Sequence, residues 1–278
     1  MVRAITQADV SRILRMLDTA WRVYLRLSPL ELRARLSDLP GFLAEDGAGL
    51  RGFMVIEPYP PDVAFLLAAG LRDTWHPKPF FDLLLPRLEQ AARAQNLLKL
   101  VYIGSAVWLV EELKQRGFET QEWVVTLERS GRNWPPELMP PGPAQLRTVT
   151  QQDLPAISAL DAVTFNQVWH YAIGNIADAL VKQGSFVLAE LNDRVVGYIW
   201  CEIYGTHAHL SRLAVQPDYQ GLGIGTQLLH QAISDALNNG IDHITLNTQE
   251  HNLRSLALYR RFDFQTTSQR MPLLSKEL

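Results

Sequence analysis

The chain has 278 residues, 47% of them hydrophobic, with 26 Lys and Arg against 29 Asp and Glu for a net charge of −3. That length suits one large or two ordinary domains, and the near balance of charge gives no support for a nucleic-acid or anionic-membrane partner. The single cysteine, Cys201, excludes an intramolecular disulfide and suits a reducing compartment. The opening MVRAITQADV has no apolar h-region, and the longest apolar run, 63–71, is far short of a membrane span. A cytoplasmic protein is therefore expected, with no signal peptide.

In chain order, 2–10 (VRAITQADV) reads as a short strand, a capped turn and the start of a helix. Residues 42–59 read as a hairpin, with Asp46-Gly47 as its turn signal. Both patterns return about 145 residues later. Residues 146–154 (LRTVTQQDL) repeat the first, and 187–204 repeat the second around Asn192-Asp193. Glu57 and Tyr59 thus correspond to Glu202 and Tyr204. Two copies of one fold are expected, over 1–129 and 144–278. Between them, 130–143 reads as a stiff linker, because 133–143 holds five prolines.

In the second copy, 207–215 (HAHLSRLAV) reads as a strand, 226–237 as an amphipathic helix closed by Asn238-Asn239-Gly240, and 241–246 as another strand. Between the first strand and the helix lies Gln220-Gly221-Leu222-Gly223-Ile224-Gly225-Thr226. A glycine loop that feeds a helix N-terminus is an anion site, because bare N–H groups and the positive end of the helix dipole converge there. A Walker loop would need a Lys after Gly225, and a dinucleotide fingerprint would need its third glycine elsewhere. A phosphate or pyrophosphate carried by another cofactor remains.

Downstream stands 252–264 (NLRSLALYRRFDF). The two segments together resemble the GNAT family of acyl-CoA-dependent N-acetyltransferases. Gln220, Gly223 and Gly225 match that family's Gln/Arg-x-x-Gly-x-Gly/Ala motif. Asn252, Ser255, Leu258, Tyr259 and Phe264 match its second motif, with Asp263 in place of the usual Gly; Asp tolerates left-handed backbone. The resemblance implies a mixed α/β fold in two tandem domains, each a mostly antiparallel sheet flanked by helices. It further implies direct transfer of an acetyl group from acetyl-CoA to an amine. Leu213, Ala214 and Val215 would pair with the pantetheine arm; Gly221, Leu222, Gly223, Ile224, Gly225 and Thr226 would hold the pyrophosphate; Asn252 and Ser255 would complete the cofactor site. Tyr259 takes the position of the acid that protonates the leaving thiolate.

His209, four residues before Leu213, is the first candidate base, with Glu202 as runner-up and a water chain as a third possibility. His207, Ser211 and His209 share a strand face by alternation. Phe165, Trp169, His170 and Tyr171, with Tyr204 and His207, are candidates for the acceptor pocket. No metal is required, and Cys201 reads as core. A lone chain or a homodimer would serve, with a small-molecule or peptide amine as acceptor. Two alternatives stand: a non-catalytic acyl-CoA sensor, and a tandem acetyltransferase of the mycothiol-synthase type. In the first copy, His76 falls at the place of Gln220, and Pro77, Pro79 and Phe81 fall at the glycines. Proline offers no N–H, and Ala106 and Leu113 replace Asn252 and Tyr259. That copy is expected to be non-catalytic.

Overall fold

The computed structural model describes residues 1–59, 61–133, 142–171 and 173–278; 134–141 of the proline-rich run lie outside the described residues. Packing divides the chain into two compact units, Met1–Trp123 with Met271–Leu278, and Val124–Arg270.

The first unit runs β1 (Val2–Ala4), α1 (Val10–Leu17), β2 (Arg22–Leu25), α2 (Pro29–Arg35), β3 (Gly41–Asp46), β4 (Gly49–Tyr59), β5 (Val63–Leu71), α3 (Pro77–Arg93), β6 (Lys99–Ile103), α4 (Val107–Gln115) and the start of β7 (Glu119–Ser130). The second takes up β7 from Val124 and continues through β8 (Gln145–Thr148), α5 (Leu154–Thr164), α6 (Ile173–Asp178), β9 (Gly184–Leu191), β10 (Arg194–Tyr204), β11 (His207–Val215), α7 (Ile224–Asn238), β12 (His243–Gln249), α8 (Leu253–Arg261) and the start of β13 (Gln265–Glu277), which from Met271 belongs to the first unit. The repeat offset set the halves at 1–129 and 144–278. Strand pairing moves two segments across those bounds: 124–130 pair with β12, and 273–277 pair with β6.

In the first unit the order is β1-β3-β4-β5-β6, and in the second β8-β9-β10-β11-β12. Every neighbour within these runs is antiparallel except β5–β6 and β11–β12. Local chemistry explains the repeated starts. Thr6 and Asp9 form a capping box, and so do Thr150 and Asp153. The β9–β10 turn carries Asn192 and Asp193 at φ 52° and 58°, as a two-residue hairpin loop with both centres left-handed requires. Asp263 is left-handed as well, at φ 63°.

The decisive irregularity lies in the middle of each sheet. Trp200 faces Arg212 while Cys201 faces Leu210, so Ser211 is the extra residue of a β-bulge. Side-chain alternation resets there. Ala208 and Leu210 pack with α7, as do Leu213 and Val215, whereas Ala214 packs with α5, Tyr198 and Trp200. Beyond the bulge the parallel neighbours part. β11 pairs with β12 only from Ala208 to Leu210, against Ile244 to Leu246. The first unit repeats the device, with a shift at Val55/Ile56 and β5–β6 pairing limited to Val63–Phe65.

Candidate functional site

Past Leu210 the β12-side edge of β11 has no strand partner among the described residues. A cleft of about 900 Å³ opens there, lined by Leu213 and Val215, by Gln220, Gly221, Gly223, Gly225 and Thr226, and by Asn252 and Ser255. Phe165 and Trp169 reach the same cleft from the segment after α5. The two motifs and part of the candidate acceptor segment therefore meet around one space.

Its floor is shaped by backbone conformation. Gly221 and Gly223 sit at φ 85° and 87°, where a side chain strains the chain, and Gly223 is the N-cap of α7. Gly225 is different: its φ is ordinary, and a Cβ there would meet Leu258 and Val215 at 3.6 and 3.7 Å. The first N–H groups of α7 have no intrahelical acceptor. Gln220 ties the loop down, donating from Nε2 to the Val215 carbonyl at 2.9 Å and accepting from Arg254. Asn252 caps α8 by accepting from the Ser255 N–H at 3.2 Å.

Several lining residues carried no signal in the motifs. Arg254 and Arg261 bring two cations to the cleft, and Tyr219, Gln249 and His251 flank it. Of the remaining cofactor candidates, Ala214 and Ile224 are buried in the core and Leu222 is exposed.

The candidate acid and bases stand outside this lining. Tyr259 is buried against Phe264, ring centroids 5.8 Å apart, and its hydroxyl has no hydrogen-bond partner among the described residues. Burial pushes that phenol well above its ordinary pKa. His209 contacts the Thr245 hydroxyl through Nδ1 at 2.9 Å. Its pKa is lowered, chiefly by burial, against the opposing pull of Glu202 across the ladder. Glu202 is buried and held by Lys182 at 3.2 Å, by the Tyr204 hydroxyl and by Ser211 at 3.4 Å. Tyr204 also stacks on His207. His170 lies against the Gln167 carbonyl at 3.2 Å, and Tyr171 packs on Trp200. Cys201 is buried, and its thiol is pushed up to about 12 by that burial, so it stays protonated.

Sequence patterning missed one cluster altogether. Arg212 and Asp161 form a buried ion pair beneath the 165–171 segment, with Arg212 Nε 2.7 Å and Nη2 2.6 Å from the carboxylate. The visible signal was a lone arginine inside the apolar stretch HLSRLAV. The bulge at Ser211, which sets its direction, has no comparable mark in the sequence.

The acyl-CoA site that the motifs imply can be tested against these features. A strand edge free to pair with an extended amide chain, a left-handed glycine loop at a helix N-terminus and two nearby arginines form a donor set that fits such a molecule.

Comparison with known proteins agrees. Residues 153–264 match the Acetyltransferase (GNAT) family. A mycothiol acetyltransferase of Saccharomonospora viridis is 25% identical over 163 residues, which are 51% of this chain and 52% of that protein, so the match spans about half the relative's length. A GCN5-related N-acetyltransferase from Sphaerobacter thermophilus shares the fold at TM-score 0.70 and 16% identity, over 100% of this chain and 95% of that one. A tandem GNAT protein from the clavulanic acid biosynthesis pathway does so at TM-score 0.68 and 13% identity, over 100% and 98%. Residues 153–264 thus carry the match to the acetyltransferase (GNAT) family, and the chain as a whole shares the fold of a tandem GNAT protein.

Proposed function

We propose that the second unit is an N-acetyltransferase that moves the acetyl group of acetyl-CoA to a primary amine. The observation that carries this reading is the opening of the free β11 edge and the Gly221–Gly223 cradle onto one cleft. Backbone groups of Leu213 and Val215 would hold the pantetheine arm. The N–H groups of 221–226, supported by Arg254 and Arg261, would hold the phosphates. When bound, acetyl-CoA supplies a thioester open to attack by a neutral amine. His209, kept neutral by burial, takes the proton that the ammonium must lose. The Tyr259 hydroxyl, kept protonated by burial, returns a proton to the leaving group. The likeness to a mycothiol acetyltransferase supports a small-molecule acceptor.

The first unit has a hollow of about 690 Å³ at the corresponding place, lined by Trp75, His76, Pro77 and Trp108, but no free strand edge beside it among the described residues. Its own β2 pairs with Ala68–Leu71 of β5, along the edge that β6 leaves free, and the Arg26 N–H continues the ladder to the Leu67 carbonyl at 2.9 Å. Tyr24 then bonds the Ile103 carbonyl at 2.8 Å. One acetyl-CoA per chain is therefore expected. A second reading, an acyl-CoA sensor, draws on the position of Tyr259 and His209 outside the cleft lining. Calorimetry with acetyl-CoA, beside a CoA-release assay over glucosamine, spermidine, phenethylamine and a short peptide, separates the readings. One site with turnover of any of these amines supports the transferase, and one site without turnover favours the sensor. No binding refutes both.

A further inference from the structure

We propose that Asp161 and Arg212 are positioning residues that hold the 165–171 segment on the face of the sheet, and so keep the β11 edge open as the acyl-CoA slot. This rests on the acyl-CoA reading of the cleft for the ligand, and on the ion pair's own geometry for the device.

Asp161 lies in the last turn of α5 and is fully buried; Arg212 follows the Ser211 bulge and is 8% exposed. The bulge turns Arg212 toward α5 rather than α7, and the segment is fastened to it from several sides. The Trp169 carbonyl accepts from Arg212 Nη2 at 2.6 Å, and the Tyr171 N–H donates to Asp161 at 2.7 Å. The guanidinium lies between the rings of Phe165 and Tyr171, 3.6 and 4.1 Å from their centroids. Tyr198 donates its hydroxyl to the same carboxylate. Phe165 and Trp169, held in this way, are walls of the cleft.

The first unit does without all of this. The β10–β11 pair Trp200↔Arg212 corresponds to Val55↔Ala68, and the places of Tyr198 and Asp161 are taken by Phe53 and Leu17. Val55, Ala68 and Phe53 belong to one apolar cluster, and Leu17 packs against it. Apolar residues in place of a buried ion pair leave a fold as stable or more so, so stability alone does not account for the charges. What differs is the path of the chain after the helix. Beyond α1 it forms β2 and zips along the edge of β5. Beyond α5 no strand forms among the described residues, and the side chain of Arg212 holds the segment instead.

The test uses the full chain with acetyl-CoA as probe, read by calorimetry, together with hydrogen exchange of the 165–171 amides and thermal melting. The triple variant Asp161→Leu, Tyr198→Phe, Arg212→Ala installs the first unit's solution. It should melt near wild type, exchange faster over 165–171, and bind acetyl-CoA about tenfold more weakly, because the open state becomes a minor population. Tyr198→Phe alone keeps the ion pair and should bind as wild type does. Unchanged affinity in a folded triple variant overturns the proposal, and so does unchanged exchange. If the triple variant fails to fold, Arg212→Lys is judged by the same two readouts, since a lysine cannot reproduce the fork or the stacking. If the wild type itself does not bind acetyl-CoA, the cleft reading fails, and exchange over 165–171 alone decides whether the pair holds the segment.

Discussion

Arg3 grips Asp9 in the first unit and Arg147 grips Asp153 in the second, at 2.7 and 2.8 Å, each beneath a threonine that completes a capping box. Glu45 joins the one pair and Glu190 the other. Glu57 and Glu202 are each bonded to a cation, Arg35 and Lys182, and each sheet carries its bulge at the same place. The units diverge most around the strand edge that the bulge releases. In the first, β2 fills the edge, and Pro77 and Pro79 begin a helix that His76 caps with its own ring nitrogen. In the second, the edge is free and a glycine loop precedes the helix. A scaffold can thus be kept while one strand edge of it is left open or filled. The retained Glu–cation pair also argues that Glu202 is structural, since its counterpart serves a unit whose strand edge is filled by β2.

The sharpest break in this contrast is Gly223→Pro. Proline cannot reach the left-handed φ at that position and brings the first unit's chemistry into the loop. Acetyl-CoA binding by calorimetry should be lost, whereas Gly225→Ala, with ordinary contacts for its Cβ, should bind normally. Equal affinities in both variants would remove the pyrophosphate assignment. Next in size is Tyr259→Phe, which should lower kcat by about 10²-fold with acetyl-CoA affinity unchanged. Wild-type turnover would return Tyr259 to the core and favour the sensor.

A pH profile sharpens the role of His209. On the proposed reading the neutral imidazole is the working form, so activity should fall as acid protonates it. Burial lowers its pKa, which puts the acid limb of kcat/KM below the usual imidazole value of about 6.5. His209→Gln should erase that limb. A limb that persists points to a water chain.

How far these features could be read in the sequence depended on how local they are. The glycine loop, the Asn192-Asp193 turn and left-handed Asp263 each arise within a few residues, and the strand 207–215 matches β11 in full. Three features escaped because they arise from pairing between distant segments. Residues 22–25 become a strand only because β5 offers them an edge. Residues 273–277 leave the second copy's span because β6 accepts them. Arg212 meets Asp161 only because the bulge at Ser211 interrupts alternation, and period-two reasoning has no term for an inserted residue.

The smallest expected effect tests how alike the scaffolds are. Asp9 and Asp153 are nearly buried, and each is held well below the usual carboxylate range, first by its arginine and then by its threonine. Arg3 and Arg147 are about one-third exposed at 32% and 36%, so the solvent screens each pair. Asp9→Asn and Asp153→Asn should each cost about 1.5 kcal/mol in denaturant unfolding, the low end for hydrogen bonds to a charged group. A depressed carboxyl stabilises the fold above its unfolded pKa of about 3.9, and that contribution is lost as pH falls toward the folded value. Acid destabilisation of the wild type below about pH 4 should therefore be shallower in the double variant. If one substitution were silent and the other costly, the two capping boxes would be alike in geometry but not in energy, and the division of scaffold from ligand face would have to be redrawn inside that unit.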